Sequence, residues 1–447
     1  MSTPTPAELA DRALAALDGD GWASAVRDVS ATVALPRGGQ LRSAAAETVA
    51  VTLTAWRDGH VGTATTTATD ADGLAAAAAR AVRTAERTAR DADGPGDATP
   101  PPEADGAPAL DAADAATADA DPGVGIDALL RARDAADART PVAGRWHAGL
   151  VERALAASTG LRRQERTTDA HLWLRAGAGG VRSAVVAESA RSAAALDAAA
   201  LVRRALARIP GGDWHDPTPG EQTIVLTPQA VATVLDAAAA LVLDGLAAAD
   251  GRTRAAGRIG TRVAADAVTL VDDPTHAGTL PHAFDASGAA KRPLELIEGG
   301  TLRSLVHDGR SQATTGHATA PGGGAEGPRP TNLVLAPGDA ASVEALIAGV
   351  DVGLLVPSIE ALRPINAELG LAYGLAPDGA SRIEDGRVVG AAGSVPLLVS
   401  PLDVLDGVDA LTAAQTLVGA PTLGGRRVGH GVLAPGLRTR SGITVTD

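Results

Sequence analysis

The chain is 447 residues long and carries a formal net charge of -14, with a sequence pI of about 5.1. This length suits two domains, because a single hydrophobic core rarely serves more than about 300 residues. The negative field opposes phosphate backbones and anionic lipids, so neither nucleic acid nor a membrane is an expected partner. The sequence has no cysteine, which excludes disulfides, thiolate nucleophiles and Cys-ligated metals.

Signals for secretion or for a membrane span are missing from the sequence. Met1–Arg12 contains neither a basic region nor an apolar stretch, which predicts a cytoplasmic protein. The longest apolar run, Ala230–Ala249, has the length of a span, but Asp236 and Asp244 would each cost roughly 2.5 to 3.5 kcal/mol near the bilayer centre. Lys291 is the single lysine among many arginines and alanine dominates the composition, which is typical of a high-GC bacterium.

Helix and strand patterns alternate twice in the first two hundred residues. The predicted helices are Ala-rich stretches, two of them behind the capping residues Thr5 and Asp70, and they cover Pro6–Leu17, Ala71–Asp91, Ile126–Ala138 and Ala194–Arg208. The predicted strands are β-rich segments, and they cover Ala23–Ala34, Arg42–Ala45, Val49–Trp56, His60–Thr67, Trp146–Ala157, Arg162–Leu174 and Arg182–Ser189. Residues 93–123 are rich in Pro, Asp, Ala and Gly, which predicts a flexible linker or a long loop.

These patterns predict an α+β fold of two domains. Residues 1–217 form the first domain, an antiparallel sheet with helices that is built from two similar half-units. The Gly- and Pro-containing stretch around Pro210–Pro219 marks the boundary to the second domain, residues 218–447. There, an Ala-, Val- and Leu-rich stretch that begins at Pro228 predicts one long apolar helix to about Ala249. Short strands and Gly-containing turns follow, so the second domain is expected to be mainly β.

One stretch of the second half carries several motifs in a characteristic order. Residues 284–324 read FDASGAAKRPLELIEGGTLRSLVHDGRSQATTGHATAPGGG. The motif residues of this stretch and of the sequence that follows are Phe284, Asp285, Gly288, Ile297, Gly300, Leu302, Thr315, Gly316, His317, Thr331, Asn332, Pro337 and Gly338. In this order they resemble the C-terminal signature of the TldD/PmbA family, the modulator of DNA gyrase family of metallopeptidases. The resemblance is clear from about Thr223 onward and rests on the arrangement of elements before that residue.

The resemblance raises the question of whether this chain has the residues to bind zinc. Catalytic members of the family hold zinc with a His-Glu-x-x-x-His helix and a downstream cysteine, and the helix should fall near Gln229–Ala249. That segment contains no histidine, and the cysteine position is necessarily empty. We therefore expect no zinc at the usual place. An improvised site from His276 and His282 with Asp272 or Asp273 is the alternative, although histidines near turns are more often plain surface groups.

The family also contains a second type of subunit, called TldE or PmbA, which lacks the zinc motif. The resemblance to this type implies a non-catalytic subunit of a zinc-dependent peptidase complex that degrades or matures unfolded peptides. Its partner would be a TldD-like subunit that carries the zinc, or a second copy of this chain in a dimer. The peptide would bind as an added strand at a sheet edge. The expected peptide or partner contacts are Asp285, Thr315, Gly316, His317 and Asn332.

Two other functions stay open from the sequence. The first is a diverged homodimeric member that acts without metal on a small peptide-like metabolite. The second is a scaffold without a substrate. Where the family has Phe-Asp-x-Glu-Gly this chain has Ala286-Ser287-Gly288, so the acid is missing and the substrate contacts of that loop are in question.

A nucleotide is not expected, and neither is a serine-hydrolase site. Gly322, Gly324 and Gly327 satisfy G-x-G-x-x-G, but Pro328 and Pro330 disfavour the helix that would receive a pyrophosphate. The chain has no G-x-S-x-G nucleophile elbow, and no spacing of Ser, His and Asp supports a triad.

Overall fold

The computed structural model describes residues 4–92, 94–105, 109–119, 121–178, 182–311, 314–323 and 326–446. The helices and strands of the first half are, in chain order, α1 Pro6–Ala16, β1 Gly21–Leu35, β2 Arg42–Arg57, β3 His60–Thr66, α2 Ala71–Asp91, β4 Leu110–Ala112, α3 Ala115–Ala118, α4 Pro122–Asp134, β5 Val142–Ala157, β6 Arg162–Gly177, β7 Ser183–Ala190 and α5 Ala198–Ala207. The predicted helices and strands of this half are present with bounds that differ by up to four residues. However, β2 is one strand where two were predicted, and β4 and α3 were not predicted.

Local capping explains why the first helix begins where it does. The Thr5 hydroxyl accepts a hydrogen bond from the backbone N–H of Glu8 at 3.3 Å, and the Glu8 carboxylate accepts one from the Thr5 N–H at 2.8 Å. This reciprocal pair satisfies backbone donors that a helix start otherwise leaves free. Within the predicted linker 93–123, the structure contains β4 and α3, while residues 93, 106–108 and 120 lie outside the described residues.

The first sheet contains seven strands among the described residues. The path β3–β2–β1–β5–β6 is antiparallel, and the outer edge of β6 pairs with β7 and, in parallel, with β4. The two runs of three long strands, β1–β3 and β5–β7, join through the antiparallel pair of β1 and β5. Each run follows the order helix, three strands, helix, as the repeated sequence pattern predicts.

One face of this sheet packs against helices and the other face does not. Ala25, Val51 and Leu53 are fully buried with residues of α1 and α2. Trp146 and Leu172, farther along the same face, pack against α4 and α5. Because strand side chains alternate between faces, the intervening residues point to the opposite side, where polar types prevail. This polar face is turned toward the second half of the chain.

The second half forms a larger sheet. Its helices and strands are, in chain order, β8 Asp213–Trp214, β9 Gly220–Glu221, β10 Thr223–Leu226, α6 Pro228–Leu241, α7 Gly245–Ala249, β11 Leu270–Asp272, β12 Leu294–Glu298, β13 Thr301–Leu302, β14 Asn332–Leu335, α8 Val343–Ile347, β15 Val352–Val356, β16 Glu360–Asn366, β17 Leu371–Glu384, β18 Arg387–Val399, α9 Pro401–Asp406, β19 Val408–Leu423, β20 Arg426–Thr439 and β21 Ile443–Val445. The sheet has 14 strands among the described residues and mixes parallel with antiparallel pairs. The largest apolar core of the chain packs α6 against it.

The predicted long apolar helix is wrong. The helix α6 ends at Leu241 after 14 residues. The chain then leaves the helix because Leu243 and Gly245 form backbone hydrogen bonds with Val306, each 2.9 Å long. Asp244 starts the separate helix α7, since its carboxylate accepts the N–H groups of the second and third residues that follow. The apolar composition continues through this break, so composition alone could not show it.

A membrane crossing has no support in the helices of this structure. Among the described residues, no helix combines the length and the apolarity that a span requires. The break between α6 and α7 falls inside the apolar run Ala230–Ala249, which is 20 residues long.

Replacing Asp244 by alanine tests the capping role. We expect the Asp244→Ala variant to lose about 1 kcal/mol of unfolding free energy, the usual cost of a lost N-cap, measured by urea denaturation. Asp266→Ala is the control, because that side chain is 83 % exposed and its ion pair in the described part of the chain is with the exposed Arg262. Equal losses for the two variants would contradict the assignment of Asp244 as a helix cap.

Candidate functional site

A cavity of about 510 Å³ lies between the first sheet and the loops of the second half. Its first wall is the polar face of β1, β2 and β3, and its second wall consists of loops around β12, β14 and the start of β20. We call this cavity the cleft. Another cavity, of about 610 Å³, lies beside α1 and contains none of the site residues expected from the sequence. The cleft is the candidate site, because buried titratable groups converge on it.

The sheet wall of the cleft carries hydroxyl groups. Ser24, Thr48, Thr52, Thr63 and Thr65 lie on the face opposite the helices and line the cleft. Thr52 and Thr65 are directly opposite on neighbouring strands, and their hydroxyl oxygens lie 3.0 Å apart. These side chains are short, so the wall keeps room for a ligand while offering hydrogen-bond donors and acceptors.

The loop wall is organised around Asp272, the last residue of β11. One carboxylate oxygen lies 3.2 Å from Lys291 Nζ and accepts a hydrogen bond from His317 Nε2 at 2.8 Å. The other accepts the backbone N–H groups of Thr331 and Asn332, at 3.0 and 2.6 Å. Burial alone would raise the pKa of Asp272, but Lys291 and His317 outweigh it and hold that pKa well below its ordinary value. Asp272 is therefore an anion that joins three segments of chain.

The glycine of the Thr-Gly-His motif has a definite geometric role. Gly316 has φ of +77°, a conformation that residues with a Cβ atom rarely adopt. A Cβ atom at this position would lie 2.6 Å from the carbonyl oxygen of Ala290. The close approach lets Lys291 Nζ lie 3.3 Å from the Gly316 carbonyl oxygen, its second acceptor. The motif thus shapes the loop around the buried lysine.

Asp285 shapes the neighbouring loop. Its Oδ1 accepts hydrogen bonds from the Ser287 N–H, the Ser287 hydroxyl and the Ala289 N–H, at 2.9, 2.7 and 3.0 Å. Its Oδ2 accepts the N–H of Ala318 at 2.8 Å. The indole N–H of Trp22, on β1, donates to the Ser287 carbonyl at 3.1 Å and so ties this loop to the first sheet.

A buried ion pair joins the two walls of the cleft. Arg153 on β5 lies 2.8 Å from Glu165 on β6, directly across the strand pair. Glu165 also contacts His282 Nδ1 at 3.2 Å and accepts the Ala283 N–H at 2.8 Å, and both of these residues belong to the second half. Burial alone would raise the pKa of Glu165, but Arg153 and His282 lower it to about 2. The carboxylate is therefore charged at neutral pH and fully paired.

A second ion pair belongs to the same interface. Arg427 Nη1 lies 2.8 Å from Asp169 on β6, and Arg427 Nε lies 2.9 Å from Asp28 on β1. His171 Nε2 contacts Asp169 at 2.8 Å. Although burial opposes it, the hydrogen bonds from His171 and Arg427 keep the pKa of Asp169 well below its ordinary value. Charged groups from two distant parts of the chain thus meet beside the cleft.

The structure brings together the five site residues that the sequence selected. Asp285, Gly316 and His317 line the cleft, Thr315 contacts His317, and Asn332 lies behind the wall with its N–H on Asp272. All five hold loops in place through the hydrogen bonds described above. Whether they touch peptide or partner stays a prediction.

Sequence reasoning missed the charged residues that surround these five. They are Arg153, Glu165, Asp169, Lys291, Arg329, Arg426 and Arg427. A signal existed for Lys291, because it is the single lysine of the chain and yet its side chain is only 2 % exposed. The arginines had no such signal, since arginine is frequent throughout the sequence.

A Thr–His–Asp chain is present but has no free nucleophile. His317 Nδ1 lies 2.8 Å from the Thr315 hydroxyl, and its Nε2 contacts Asp272. Burial and Lys291 lower the pKa of His317, which favours a neutral ring. The Thr315 oxygen, however, also accepts the His307 N–H at 2.7 Å and lies 3.2 Å from the His307 carbonyl oxygen. These contacts use the hydroxyl for loop structure, so we assign it no catalytic step.

The residues present do not fit the family's zinc site. The helix α6 offers Gln229 and Asp236 as polar donors and no imidazole, and Asp244 is used as the cap of α7. In the described part of the chain, no three His, Asp or Glu side chains are grouped so that they could hold a metal ion. The alternative site is not assembled either, because His282 contacts Glu165 and the Gly429 carbonyl, while His276 accepts the N–H of Gly278.

The fold and the cleft together define a two-sheet α+β protein with a cleft between its two halves. Residues 219–445 match the family described as the PmbA/TldA metallopeptidase C-terminal domain. This match covers half of the chain, and the chain therefore belongs to the PmbA/TldD family.

Known proteins with similar sequences and folds agree with this assignment. A curated relative named "Metalloprotease", from Methanothermobacter thermautotrophicus, is 27 % identical over 191 residues, and the chain spans only 41 % of that relative's length. The crystal structure of TldE from Thermococcus kodakarensis aligns with a TM-score of 0.83 and 19 % identity over 98 % of this chain and 99 % of that one. A putative modulator of a DNA gyrase from Thermotoga maritima aligns with a TM-score of 0.77 and 18 % identity, covering 95 % of each chain. At these identities the structural matches show the fold alone.

Removal of the buried lysine should destabilise the protein strongly. We expect Lys291→Met to lose about 3 to 5 kcal/mol of unfolding free energy, because Asp272 would stay buried without a cation. The double variant Asp272→Asn/Lys291→Met should recover part of this loss. Arg303→Gln is the control, since Arg303 and Glu298 form an ion pair with side chains 48 % and 52 % exposed. Urea denaturation measures all three, and a wild-type-like Lys291→Met would contradict the role of the pair.

Mild acid should weaken the packing of the two sheets. Burial lowers the pKa of His147 and of His430 to about 4, and each ring has one buried nitrogen without a hydrogen-bond partner among the described residues. The unfolded chain protonates these rings near pH 6.5, so their contribution is present above pH 6.5 and is lost as the pH falls toward 4. Glu165, with a pKa of about 2, loses its contribution only below about pH 4.5. We expect a loss of about 1 to 2 kcal/mol per ring between pH 7.5 and pH 5.

The measurement is the unfolding free energy at the two pH values for the wild type and for His147→Gln/His430→Gln. The double variant should lose less stability on acidification than the wild type. His276→Gln, at an exposed position, is the control and should behave as the wild type. An unchanged pH dependence in the double variant would show that these two rings do not set it.

Proposed function

We propose that this chain is a non-catalytic, TldE/PmbA-like subunit of a cytoplasmic, zinc-dependent peptidase complex, and that it holds unfolded peptide in the cleft. The observation that carries the proposal is the cleft, which offers hydrogen-bonding walls beside an open strand edge. The likeness of the fold to TldE of Thermococcus kodakarensis supports the choice of subunit type. The name of the curated relative, a metalloprotease, supports the link to proteolysis.

The layout of the chain suits this role. We place the boundary between two domains at residues 217 and 218, and the family match begins at residue 219. The first domain then supplies the sheet wall of the cleft and the second supplies the loops. A ligand held between the two would contact both, which is a common position for binding sites.

An open strand edge lies beside the cleft. β3 pairs with β2 only from Val51 to Arg57, whereas β1 pairs with β2 from Arg42 onward. In the described residues, no strand and no backbone hydrogen bond occupies the outer edge of β2 between Arg42 and Ala50. Thr48 and Ala50, at the end of this open edge, line the cleft. An extended peptide can add here as a new strand and lead into the cleft.

Backbone recognition fits a peptide substrate of varied sequence. Strand addition uses the N–H and C=O groups that every peptide has, and the threonine hydroxyls of the sheet wall offer further polar contacts. The bond cleavage itself would belong to a TldD-like partner, whose zinc would polarise the attacking water. This chain's own residues would bind and orient the peptide.

Two neighbouring proline variants test the strand edge. Consecutive residues of a strand direct their N–H groups to opposite edges, so one of Ala45 and Ala46 faces β1 and the other faces the open edge. Proline removes the N–H. Of Ala45→Pro and Ala46→Pro, the variant that keeps the wild-type melting temperature is the one at the open edge. We expect that variant to bind an unstructured decapeptide about fivefold more weakly, because it lacks one hydrogen bond to the peptide.

Fluorescence anisotropy of a labelled decapeptide of serine, threonine and valine measures the binding. Ala104→Pro is the control, because Ala104 lies in an exposed stretch without regular structure. Unchanged affinity in the stable edge variant would contradict strand addition on β2. The subunit role itself fails if the purified chain alone holds stoichiometric zinc and cleaves the decapeptide.

A further inference from the structure

Two arginines of the cleft differ from its other cations. Arg329 and Arg426 both line the cleft. In the part of the chain that the structure describes, neither guanidinium has a hydrogen bond or an ion pair. The other cations of the cleft are paired, namely Arg153 with Glu165, Lys291 with Asp272, and Arg427 with Asp169 and Asp28. Two guanidinium groups are therefore available to a ligand.

The backbones of these two arginines are held in place. The Arg329 N–H donates to the His317 carbonyl at 3.0 Å, which ties the residue to the loop wall. Arg426 begins β20 and pairs with Leu423 across the Gly424-Gly425 turn. Because the backbones are fixed and the side chains have no partner, the guanidinium groups can turn toward a ligand without breaking a structural contact.

Among the described residues, no acidic group of the cleft forms an ion pair with either arginine. Asp28 is paired with Arg427, while Asp285 accepts hydrogen bonds from its own loop at Oδ1 and from the Ala318 N–H at Oδ2. Glu326 and Asp285 act on Arg426, and Asp236 acts on Arg329, only through longer-range charge interaction. In the described part of the chain, the two guanidinium groups are thus local cations without direct partners, inside a protein whose net charge is -14.

We propose that Arg329 and Arg426 form a carboxylate-binding subsite of the cleft, which holds either the C-terminal carboxylate of a bound peptide or an acidic side chain within it. The inference rests on the proposed peptide-binding function and names the peptide group that is recognised. A guanidinium matches a carboxylate with two parallel N–H···O bonds, and such charged bonds are about twice as strong as neutral ones. Strand addition gives affinity without sequence preference. The subsite adds a preference for peptides that carry a carboxylate, and it sets where along the cleft that carboxylate is held.

The net charge of the protein makes the test decisive. A general field from an acidic protein disfavours an anionic peptide over its neutral counterpart. A preference for the anionic peptide therefore requires local cations that outweigh the field. The cleft arginines are the described cations without partners that can supply this.

The experiment compares three peptides with the same decapeptide sequence of serine, threonine and valine and the same N-terminal fluorophore. The first ends in a free carboxylate, the second in an amide, and the third in an amide with one internal serine replaced by glutamate. Their affinities for the full-length protein are measured by fluorescence anisotropy. We expect the free acid to bind roughly tenfold more tightly than the amide. If the glutamate peptide regains this affinity, the subsite accepts a side-chain carboxylate, and if it does not, the subsite takes the C-terminus.

The variants assign the preference to the two arginines. Arg329→Gln and Arg426→Gln should each reduce the preference for the free acid, and the double variant should abolish it, while affinity for the amide stays unchanged. Arg139→Gln/Arg387→Gln is the matched double control, because it removes the same charge from exposed positions outside the cleft. This control should keep the wild-type preference. Thermal unfolding of each variant shows that the fold is retained.

The outcomes separate this inference from the proposed function. Equal binding of acid and amide peptides by the wild type would overturn the subsite and leave peptide binding in place. A preference that persists in the double variant would also overturn the assignment to these arginines. Failure of all three peptides to bind would overturn the proposed function and the subsite together.

Discussion

The structure depends on covering a charged sheet face without leaving a buried charge unpaired. One face of the first sheet is apolar and packs on helices, whereas the other carries Arg153, Glu165 and Asp169. A buried lone charge costs several kcal/mol, so each of these groups needs a partner. Part of that need is met by His282 and Arg427 from the second half of the chain. The two halves are therefore held at the positions where the charges meet.

The cleft is a consequence of this arrangement. Between the first sheet and the loops of the second half, the short hydroxyl side chains of β1, β2 and β3 leave space. The opposite wall is built by loops whose buried carboxylates, Asp272 and Asp285, accept backbone N–H groups. These acids resemble catalytic groups in burial and charge, but every oxygen is used for structure. What the cleft offers a ligand is hydroxyl groups, an open strand edge and two unpaired guanidinium groups.

Family membership and the zinc motif are separate features of this chain. The chain keeps the C-terminal domain of a metallopeptidase family over residues 219–445, while α6 offers no imidazole. Function resides in particular side chains and not in the fold that carries them. A peptidase subunit without the metal ligands can still contribute the part of the work that needs only shape and hydrogen bonds, which is to hold an extended chain. Proteolysis would then depend on the assembly.

The sequence alone determined most helices and strands of the first half, the family signature and the missing histidines of α6, because periodicity, capping and motif order act over a few residues. Only the tertiary structure decided where the apolar stretch breaks, since Leu243 and Gly245 bond to Val306, which lies far along the chain. The cleft, too, could be found only in the tertiary structure. Trp22 bonds to Ser287 across 265 positions and Arg427 to Asp169 across 258. No local pattern encodes such pairs, because their energies arise only when burial removes both partners from water.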